Sequence, residues 1–115
     1  MESYKFEVTS IDNRAVIVKL PEVVVSGDEA MKFTSLVNEL SSSQPKLIII
    51  DFSSVDLMNS TGLGMIAGTH NNLAKAGIDL YLVNLSDKVL KLLTMTHLDQ
   101  VLKVRKDTDT VLNEI

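Results

Sequence analysis

Two adjacent hydroxyl side chains followed by two glycines form the most informative segment of this 115-residue chain. The segment reads Ser60-Thr61-Gly62-Leu63-Gly64. Ser60 is predicted to cap a helix that begins here, because its side-chain oxygen can accept hydrogen bonds from backbone N–H groups that lack a helical partner. Each glycine costs the helix about 1 kcal/mol relative to alanine. A sequence that accepts this cost at a helix start usually needs something to approach its backbone closely.

The same glycines also match a dinucleotide-binding pattern. Gly62 to Ala67 satisfies G-x-G-x-x-G/A, a motif whose glycines let the backbone approach a pyrophosphate group. In that motif the glycine turn follows a strand directly, whereas here about ten residues separate Gly62 from Asp51, the end of the nearest predicted strand. No second half-domain is evident either. We therefore predict that the segment does not bind a dinucleotide.

Other residues that could support catalysis or metal binding are few. The chain has no cysteine and only two histidines, which excludes thiolate zinc sites, cysteine nucleophiles and multi-histidine metal sites. Asp51 and Asp56 could form a carboxylate pair, but no third acid clusters with them. His70 lies on the apolar stripe of a predicted helix, where we expect a half-buried ring with its hydrogen bonds satisfied, and His97 is expected in an exposed turn. We predict no metal, no cofactor and no enzymatic activity; catalysis that depends on His70 is the disfavoured alternative.

The composition and the hydrophobic pattern exclude some classes of binding partner. Eleven basic and fifteen acidic residues give a formal net charge of −4, whereas nucleic-acid binding needs clustered Lys and Arg. Aromatic residues, at 4%, are too few to form platforms on which bases stack. The N-terminus lacks the features of a signal peptide, and the purest apolar run, Leu47 to Ile50, is far shorter than the ~20 residues of a membrane helix. We predict a soluble cytoplasmic protein that binds neither nucleic acid nor a membrane.

The elements that must position these residues follow from hydrophobic periodicity, which alternates between the strand and helix patterns. This alternation predicts one α/β domain over 1–115, with a mixed sheet covered by helices. The predicted strands are 4–9, 15–20, 46–51, 78–83 and 101–104, and the predicted helices are 27–42, 60–76, 86–95 and 108–114. A turn is expected at Asp12-Asn13 and a loop over 52–59.

Smaller signals accompany these elements. Ser26 and Ser86 directly precede helical segments and are predicted N-caps. Met58 and Met65 flank the hydroxyl and glycine segment, and we expect them to pack in the core, with an adaptable partner-binding surface as the alternative.

The segment from Asp51 to Gly64 resembles the STAS domain of bacterial anti-sigma factor antagonists. That family's signature has an Asp at a strand end and then Ser-[Ser/Thr/Ala]-Gly-Leu-Gly at a helix start; here Asp51 with Ser53 and the run from Ser60 to Gly64 match it. The stretch from Leu92 to Val104 is similar to the family's C-terminal part, and the similar element order covers nearly the whole chain. The resemblance implies a single STAS-like α/β domain.

The resemblance also implies a function and a site. In regulated antagonists of this family, a partner kinase phosphorylates the serine that here is Ser60. The implied function is an anti-sigma factor antagonist that binds its anti-sigma factor, a serine/threonine kinase, when unphosphorylated, releases it when phosphorylated and is reset by a serine phosphatase. The ATP site then belongs to the kinase. The implied partner-binding residues surround the acceptor: Met58, Asn59, Ser60, Thr61, Gly62, Leu63 and Gly64.

Two positions depart from the family's pattern. Asn59 stands where many members carry an aspartate, and Val24 stands at the second acid of a Gly-Glu-Leu-Asp-like turn. Thr61 adds a second hydroxyl that could be an alternative acceptor. These departures keep a second interpretation open, in which the domain is an unphosphorylated scaffold or sensing subunit of a multi-protein regulatory complex.

Overall fold

The computed structural model describes residues 6–11 and 14–115, which form seven strands and four helices. The strands are β1 Glu7–Ile11, β2 Ala15–Lys19, β3 Val23–Val24, β4 Leu47–Asp51, β5 Leu57–Met58, β6 Asp79–Val83 and β7 Lys103–Arg105. The helices are α1 Gly27–Ser41, α2 Ser60–Lys75, α3 Asp87–Met95 and α4 Thr108–Glu114. The prediction of one α/β domain with a mixed sheet is confirmed.

Within the described ranges, five strands form the main sheet in the order β1-β2-β4-β6-β7. β1 is antiparallel to β2, and every other neighbouring pair is parallel. The central strands align so that Val18, Ile50 and Leu82 lie side by side. These strands are apolar on both faces, as expected for parallel strands that helices or other elements cover on both sides.

The two faces of the sheet carry different layers. Helices α1, α2 and α3 pack on one face, where Phe33, Ile66 and Leu93 join the larger core. On the other face, Val111 of α4 packs into a smaller core with Ile49 and other strand residues. Since α2 and α3 follow parallel strands, their N-termini lie at the edge of the sheet where those strands end. The hydroxyl and glycine segment at the start of α2 therefore lies at this edge.

Two predicted helix caps are confirmed. Ser26 Oγ accepts a hydrogen bond from the backbone N–H of Glu29 at 3.2 Å, and Ser86 Oγ accepts one from Val89 at 3.2 Å. The Glu29 carboxylate also accepts from the backbone N–H of Ser26 at 3.1 Å, which completes a capping box at the start of α1.

The boundaries differ from the predictions mainly at the two edge strands. β1 extends to Ile11 rather than ending at residue 9, while positions 4 and 5 and the predicted Asp12-Asn13 turn lie outside the described residues. β7 begins two residues later than predicted, because Leu98–Gln100 form a 3₁₀ turn. The backbone N–H groups of Val101 and Leu102 both donate to Leu98 O, at 3.0 and 2.9 Å, and so are occupied by this turn.

The other predicted elements match within one residue at each end, and the predicted loop over 52–59 contains the short strand β5. In the described part of the chain, no helix is both long and apolar enough to cross a membrane.

Candidate functional site at the start of helix α2

A two-stranded parallel ladder supports the start of α2. β3 and β5 pair so that Val23 lies opposite Leu57 and Val24 opposite Met58. The ladder is extended by Glu22 O, which accepts from the backbone N–H groups of Asp56 and Leu57 at 2.8 and 3.0 Å. Sequence reasoning missed both strands, because two residues are too few to show a strand period. The β-branched run at Val23, Val24 and Val25 was the available signal for β3.

Asn59, and not Ser60, caps helix α2, so the prediction of Ser60 as the cap is wrong. Asn59 has an extended backbone, with φ −124°, and its Oδ1 accepts from the backbone N–H groups of Thr61 at 3.1 Å and Gly62 at 3.3 Å. Its Nδ2 donates to Val25 O at 3.2 Å, which ties α2 to a segment 34 residues earlier. An asparagine side chain can do both because it carries an acceptor oxygen and a donor nitrogen.

Ser60 is the first residue of α2, and its side chain is exposed. Thr61 follows it and is also exposed. Neither hydroxyl hydrogen-bonds to another residue in the part of the chain that the structure describes. Because Asn59 supplies the cap, the Ser60 hydroxyl is not needed for helix formation and remains accessible to a second protein.

The two glycines of the segment have different surroundings. A Cβ on Gly62 would lie 2.7 Å from Val24 O and 2.8 Å from Met58 Cγ, closer than side-chain carbons approach such atoms. A Cβ on Gly64 would meet nothing within 4 Å. Close approach to the backbone, expected from the sequence, therefore does occur at Gly62, and the approaching group is strand β3 of the same chain.

The predicted partner-binding residues divide into an outer and an inner set. Asn59, Ser60, Thr61 and Gly64 are exposed. The inner set, which is buried beneath this surface, consists of Met58, Gly62 and Leu63. Met65 is buried too, so both methionines pack in the core as expected. The inner residues hold the outer ones in place, and contact of either set with a partner stays a prediction.

Asp51 and Asp56 have separate hydrogen-bond partners. Asp51 Oδ1 accepts from Ser53 N at 2.9 Å and from Asn84 Nδ2 at 3.0 Å, so this acid joins two loops at the strand ends. Asp56 is exposed, and its backbone carbonyl accepts from Lys88 Nζ at 3.3 Å. Among residues 6–11 and 14–115, no three acidic or histidine side chains converge on a point that could hold a metal ion.

The two histidines lie in helix α2 and in the turn that follows helix α3. His97 is exposed in a turn with φ 61°, as expected. His70 is half-buried on α2, as expected, but its Nδ1 is buried and has no hydrogen-bond partner among the residues that the structure describes. The expectation of a fully satisfied ring is therefore wrong. The adjacent Thr69 hydroxyl is also buried, and within the described ranges it has no hydrogen-bond partner.

The chain is similar to known proteins in sequence and in fold. The model of the STAS domain family matches residues 7–111. The anti-sigma-B factor antagonist of Staphylococcus aureus (strain NCTC 8325 / PS 47) is 32% identical over 62 residues, covering 54% of this chain and 57% of that protein. The match thus spans little more than half of this relative's length.

Two solved structures share the fold. An anti-sigma factor antagonist from Mycobacterium paratuberculosis has a TM-score of 0.78 at 20% identity, covering 98% of this chain and 94% of that one. The Bacillus cell fate determinant SpoIIAA in its phosphorylated form has a TM-score of 0.71 at 18% identity, covering 96% and 100%. Since the family model covers most of the residues described, with the hydroxyl and glycine segment among them, this chain belongs to the STAS domain family.

Proposed function

We propose that this protein is an anti-sigma factor antagonist that a serine kinase switches off by phosphorylating Ser60. Unmodified, the domain binds the anti-sigma factor and frees the sigma factor for transcription. Phosphorylated on Ser60, it releases that partner, and a serine phosphatase restores the binding form. The exposed Ser60 hydroxyl at the first position of α2 carries this assignment, together with the relatives' description as anti-sigma factor antagonists.

The local electrostatics suit a phosphate at this position. A helix N-terminus carries a partial positive charge, and the first turn of α2 contains no acidic side chain that would already neutralise it. A phosphate adds about −1.5 to −2 charges and three acceptor oxygens. The formal net charge would then move from −4 to roughly −5.5 to −6. We expect the helix to tolerate this charge, so phosphorylation acts on the partner surface and not on the fold.

The same proposal assigns no catalytic step to this chain. The kinase supplies the ATP site and the phosphatase supplies the hydrolytic site, while this domain supplies the acceptor hydroxyl and the surface around it. Because the kinase consumes ATP, we also propose that the exchange takes place in the cytoplasm.

A phosphorylation assay tests the assignment. The protein is incubated with ATP and a recombinant serine-kinase anti-sigma factor from its own organism, and its intact mass is measured. We expect one phosphoryl group on the parent protein and on Thr61→Val, and none on Ser60→Ala. Phosphate on Ser60→Ala would contradict Ser60 as the acceptor. No phosphate on the parent protein, with a stable multi-subunit complex instead, would favour the scaffold interpretation.

A further inference from the structure

The side chain of Asn59 lies against the peptide bond that links it to Ser60. Its Oδ1 accepts hydrogen bonds from Thr61 N at 3.1 Å and Gly62 N at 3.3 Å. Since both donors lie ahead in the chain, the side chain folds over the intervening peptide and brings Asn59 Cγ beside Ser60 N. Within the described ranges no hydrogen bond engages Ser60 N, as expected at the first position of a helix. This backbone nitrogen is therefore free to react with the side-chain amide next to it.

The backbone angle at Asn59 also favours ring closure between these two groups. A five-membered ring through Cβ, Cγ and Ser60 N requires Cβ and that nitrogen to be nearly eclipsed about the Cα–C bond. Substituents on a tetrahedral carbon are about 120° apart in this projection, so eclipsing occurs at ψ of about −120°. Asn59 has ψ −168°, about 50° from this value. A helical residue, at ψ of about −42°, lies about 80° from it.

The cap activates the carbonyl group that would be attacked. The two N–H groups that donate to Asn59 Oδ1 would stabilise the negative charge that develops on this oxygen when a nucleophile adds to Cγ. The N-terminus of α2 adds its partial positive charge, and its first turn contains no acidic side chain. Asn59 and Ser60 are both exposed, so water can reach the site and ammonia can leave it. A nucleophile, an activated carbonyl and solvent therefore meet at one point.

The other described asparagines have different surroundings. Four of them lie inside helices, where the next backbone N–H donates to a helical carbonyl four residues back: Asn38, Asn71, Asn72 and Asn113. Asn84 lies outside the helices, but its backbone is left-handed, with φ 59°, and the bulky Leu85 follows it. Its Nδ2 donates to Asp51 Oδ1 at 3.0 Å, and no described N–H donates to its Oδ1. Asn59 is thus distinguished from the other described asparagines by both its backbone and its hydrogen bonds.

From this geometry we infer that Asn59 is a site of spontaneous deamidation, a covalent modification to which asparagine is prone and which needs no enzyme. Ser60 N loses its proton to solvent and bonds to Asn59 Cγ, and the tetrahedral intermediate expels Nδ2, after protonation, as ammonia. The product is a cyclic imide that spans Asn59 and Ser60. Water then adds to one of the two imide carbonyls and breaks its C–N bond, which leaves an aspartate or an isoaspartate at this position. The steps together consume one water and release one ammonia.

Deamidation would change the charge and the contacts beside the Ser60 hydroxyl. The new carboxylate adds one negative charge at the start of α2, whose first turn contains no acid. It keeps acceptor oxygens for Thr61 N and Gly62 N but has no N–H to donate to Val25 O, to which Nδ2 donates at 3.2 Å. An isoaspartate also inserts a methylene group into the backbone and so displaces Ser60. The modification alters this surface without a kinase and does not depend on the proposed function.

Peptide mapping of aged protein tests the inference. The folded parent protein is kept at neutral pH and physiological temperature, and samples are digested in mild acid, which suppresses further deamidation. Mass spectrometry then measures acid formation at each asparagine. We expect Asn59 to convert at least 10-fold faster than Asn84 or Asn71, with release of an equal amount of ammonia. We also expect Asn59 to convert at least as fast in the folded protein as in urea-unfolded protein, where the cap is lost.

Two substitutions of Ser60 remove or crowd the nucleophile while Asn59 remains. Ser60→Pro has no backbone N–H, and proline is tolerated at the first position of a helix and after an extended residue such as Asn59. Ser60→Val keeps the N–H but places a β-branched side chain beside it. We expect conversion at Asn59 to be at least 100-fold slower in Ser60→Pro and at least 3-fold slower in Ser60→Val. Thermal unfolding verifies that both variants are folded.

Three results would overturn the modification site. They are conversion at Asn59 no faster than at Asn84, slower conversion in the folded protein than in urea, and an unchanged rate in Ser60→Pro. None of these measurements uses a kinase. Phosphorylation of Ser60 therefore tests the proposed function separately, and either can fail while the other stands.

Discussion

The N-terminal N–H groups of helices α1 and α2 are capped by different residues, which carry different charges. At α1, a capping box between Ser26 and Glu29 satisfies the free N–H groups, and Asp28 and Glu29 place negative charge at the positive end of the helix. At α2, the neutral Asn59 provides the cap, and the first turn contains no acid. The acids of α1 therefore offset the partial positive charge at its N-terminus, whereas α2 keeps this partial charge beside an exposed hydroxyl. The difference predicts that a phosphate on Ser60, as proposed, would be tolerated at the start of α2.

The largest loss of stability is expected from adding a side-chain carbon at Gly62, where strand β3 packs against the start of α2. Gly62→Ala places a methyl group 2.7 Å from Val24 O, and a backbone carbonyl cannot move aside cheaply. We expect the free energy of unfolding to fall by about 1–3 kcal/mol. Gly64→Ala is the matched control, because its Cβ enters open space, and it should be neutral or stabilising by up to about 1 kcal/mol. Urea unfolding measures both, and equal effects would contradict the close approach at Gly62.

Removing the Glu29 carboxylate from the capping box of α1 should have an effect of similar size. Glu29 is buried, and its Oε1 accepts from the backbone N–H groups of Val25 and Ser26 at 3.0 and 3.1 Å. Glu29→Ala leaves these donors without that acceptor, so we expect a loss of about 1–3 kcal/mol in chemical unfolding. Asp28→Ala, at an exposed position in the same turn, should cost less than about 1 kcal/mol. Similar losses would show that helix charge, and not the capping box, stabilises α1.

Substitutions of Asn59 test the role of the neutral cap at the start of α2. Asn59→Ala should cost about 1 kcal/mol, since it removes the acceptor for Thr61 N and Gly62 N. Asn59→Asp keeps the acceptor but loses the hydrogen bond to Val25 O and gives α2 an acid like those of α1. We expect it to have near-parent stability when unmodified. After phosphorylation of Ser60 it should melt at a lower temperature than the phosphorylated parent protein, because two negative groups then adjoin. Equal melting temperatures would contradict the role of a neutral cap.

Helix α4 begins with an aspartate cap, and substitution of this cap should have the smallest effect on stability. Asp107 caps it, and the hydroxyl and then the backbone N–H of Thr110 stabilise the carboxylate, which lowers the pKa of Asp107. A carboxyl whose pKa is lowered by folding contributes stability above its unfolded pKa, about 3.9, and loses that contribution as the pH falls through the folded value. Asp107→Asn should therefore slightly lower the melting temperature at pH 7 and flatten its dependence on pH below about 4. An unchanged acid profile would contradict this cap.

The parts of the fold that were predictable from sequence are those with long periodic patterns or strong caps. Ile48 to Ile50 could be assigned to a buried strand because they are β-branched and continuous, and Ser26 and Ser86 could be assigned as caps. The β3–β5 ladder could not be predicted, because its register depends on which distant residues meet. For the same reason the Asn59 cap was missed: Asn59 and Ser60 are both good capping residues, and the hydrogen bond to Val25 O exists only in the folded chain.

The candidate site was predictable as a segment but not as a surface. The motif from Ser60 to Gly64 indicated the place, and the family resemblance implied Ser60 as the acceptor, which stays a prediction. Which of its residues face solvent depends on packing. Gly62 and Leu63 are buried by β3 and the core, while Val23, from a different part of the sequence, becomes exposed beside Leu57.

The proposed phosphorylation switch is tested by comparing two forms of the same protein. The recombinant anti-sigma factor kinase is titrated by calorimetry with the unmodified protein and with protein phosphorylated on Ser60, and the unfolding free energy of each form is measured. We predict that phosphorylation weakens binding at least 100-fold, about 2.7 kcal/mol, while it changes the free energy of unfolding by less than about 1 kcal/mol. Equal affinity of the two forms, or unfolding of the phosphorylated domain, would contradict a switch that acts at the partner surface.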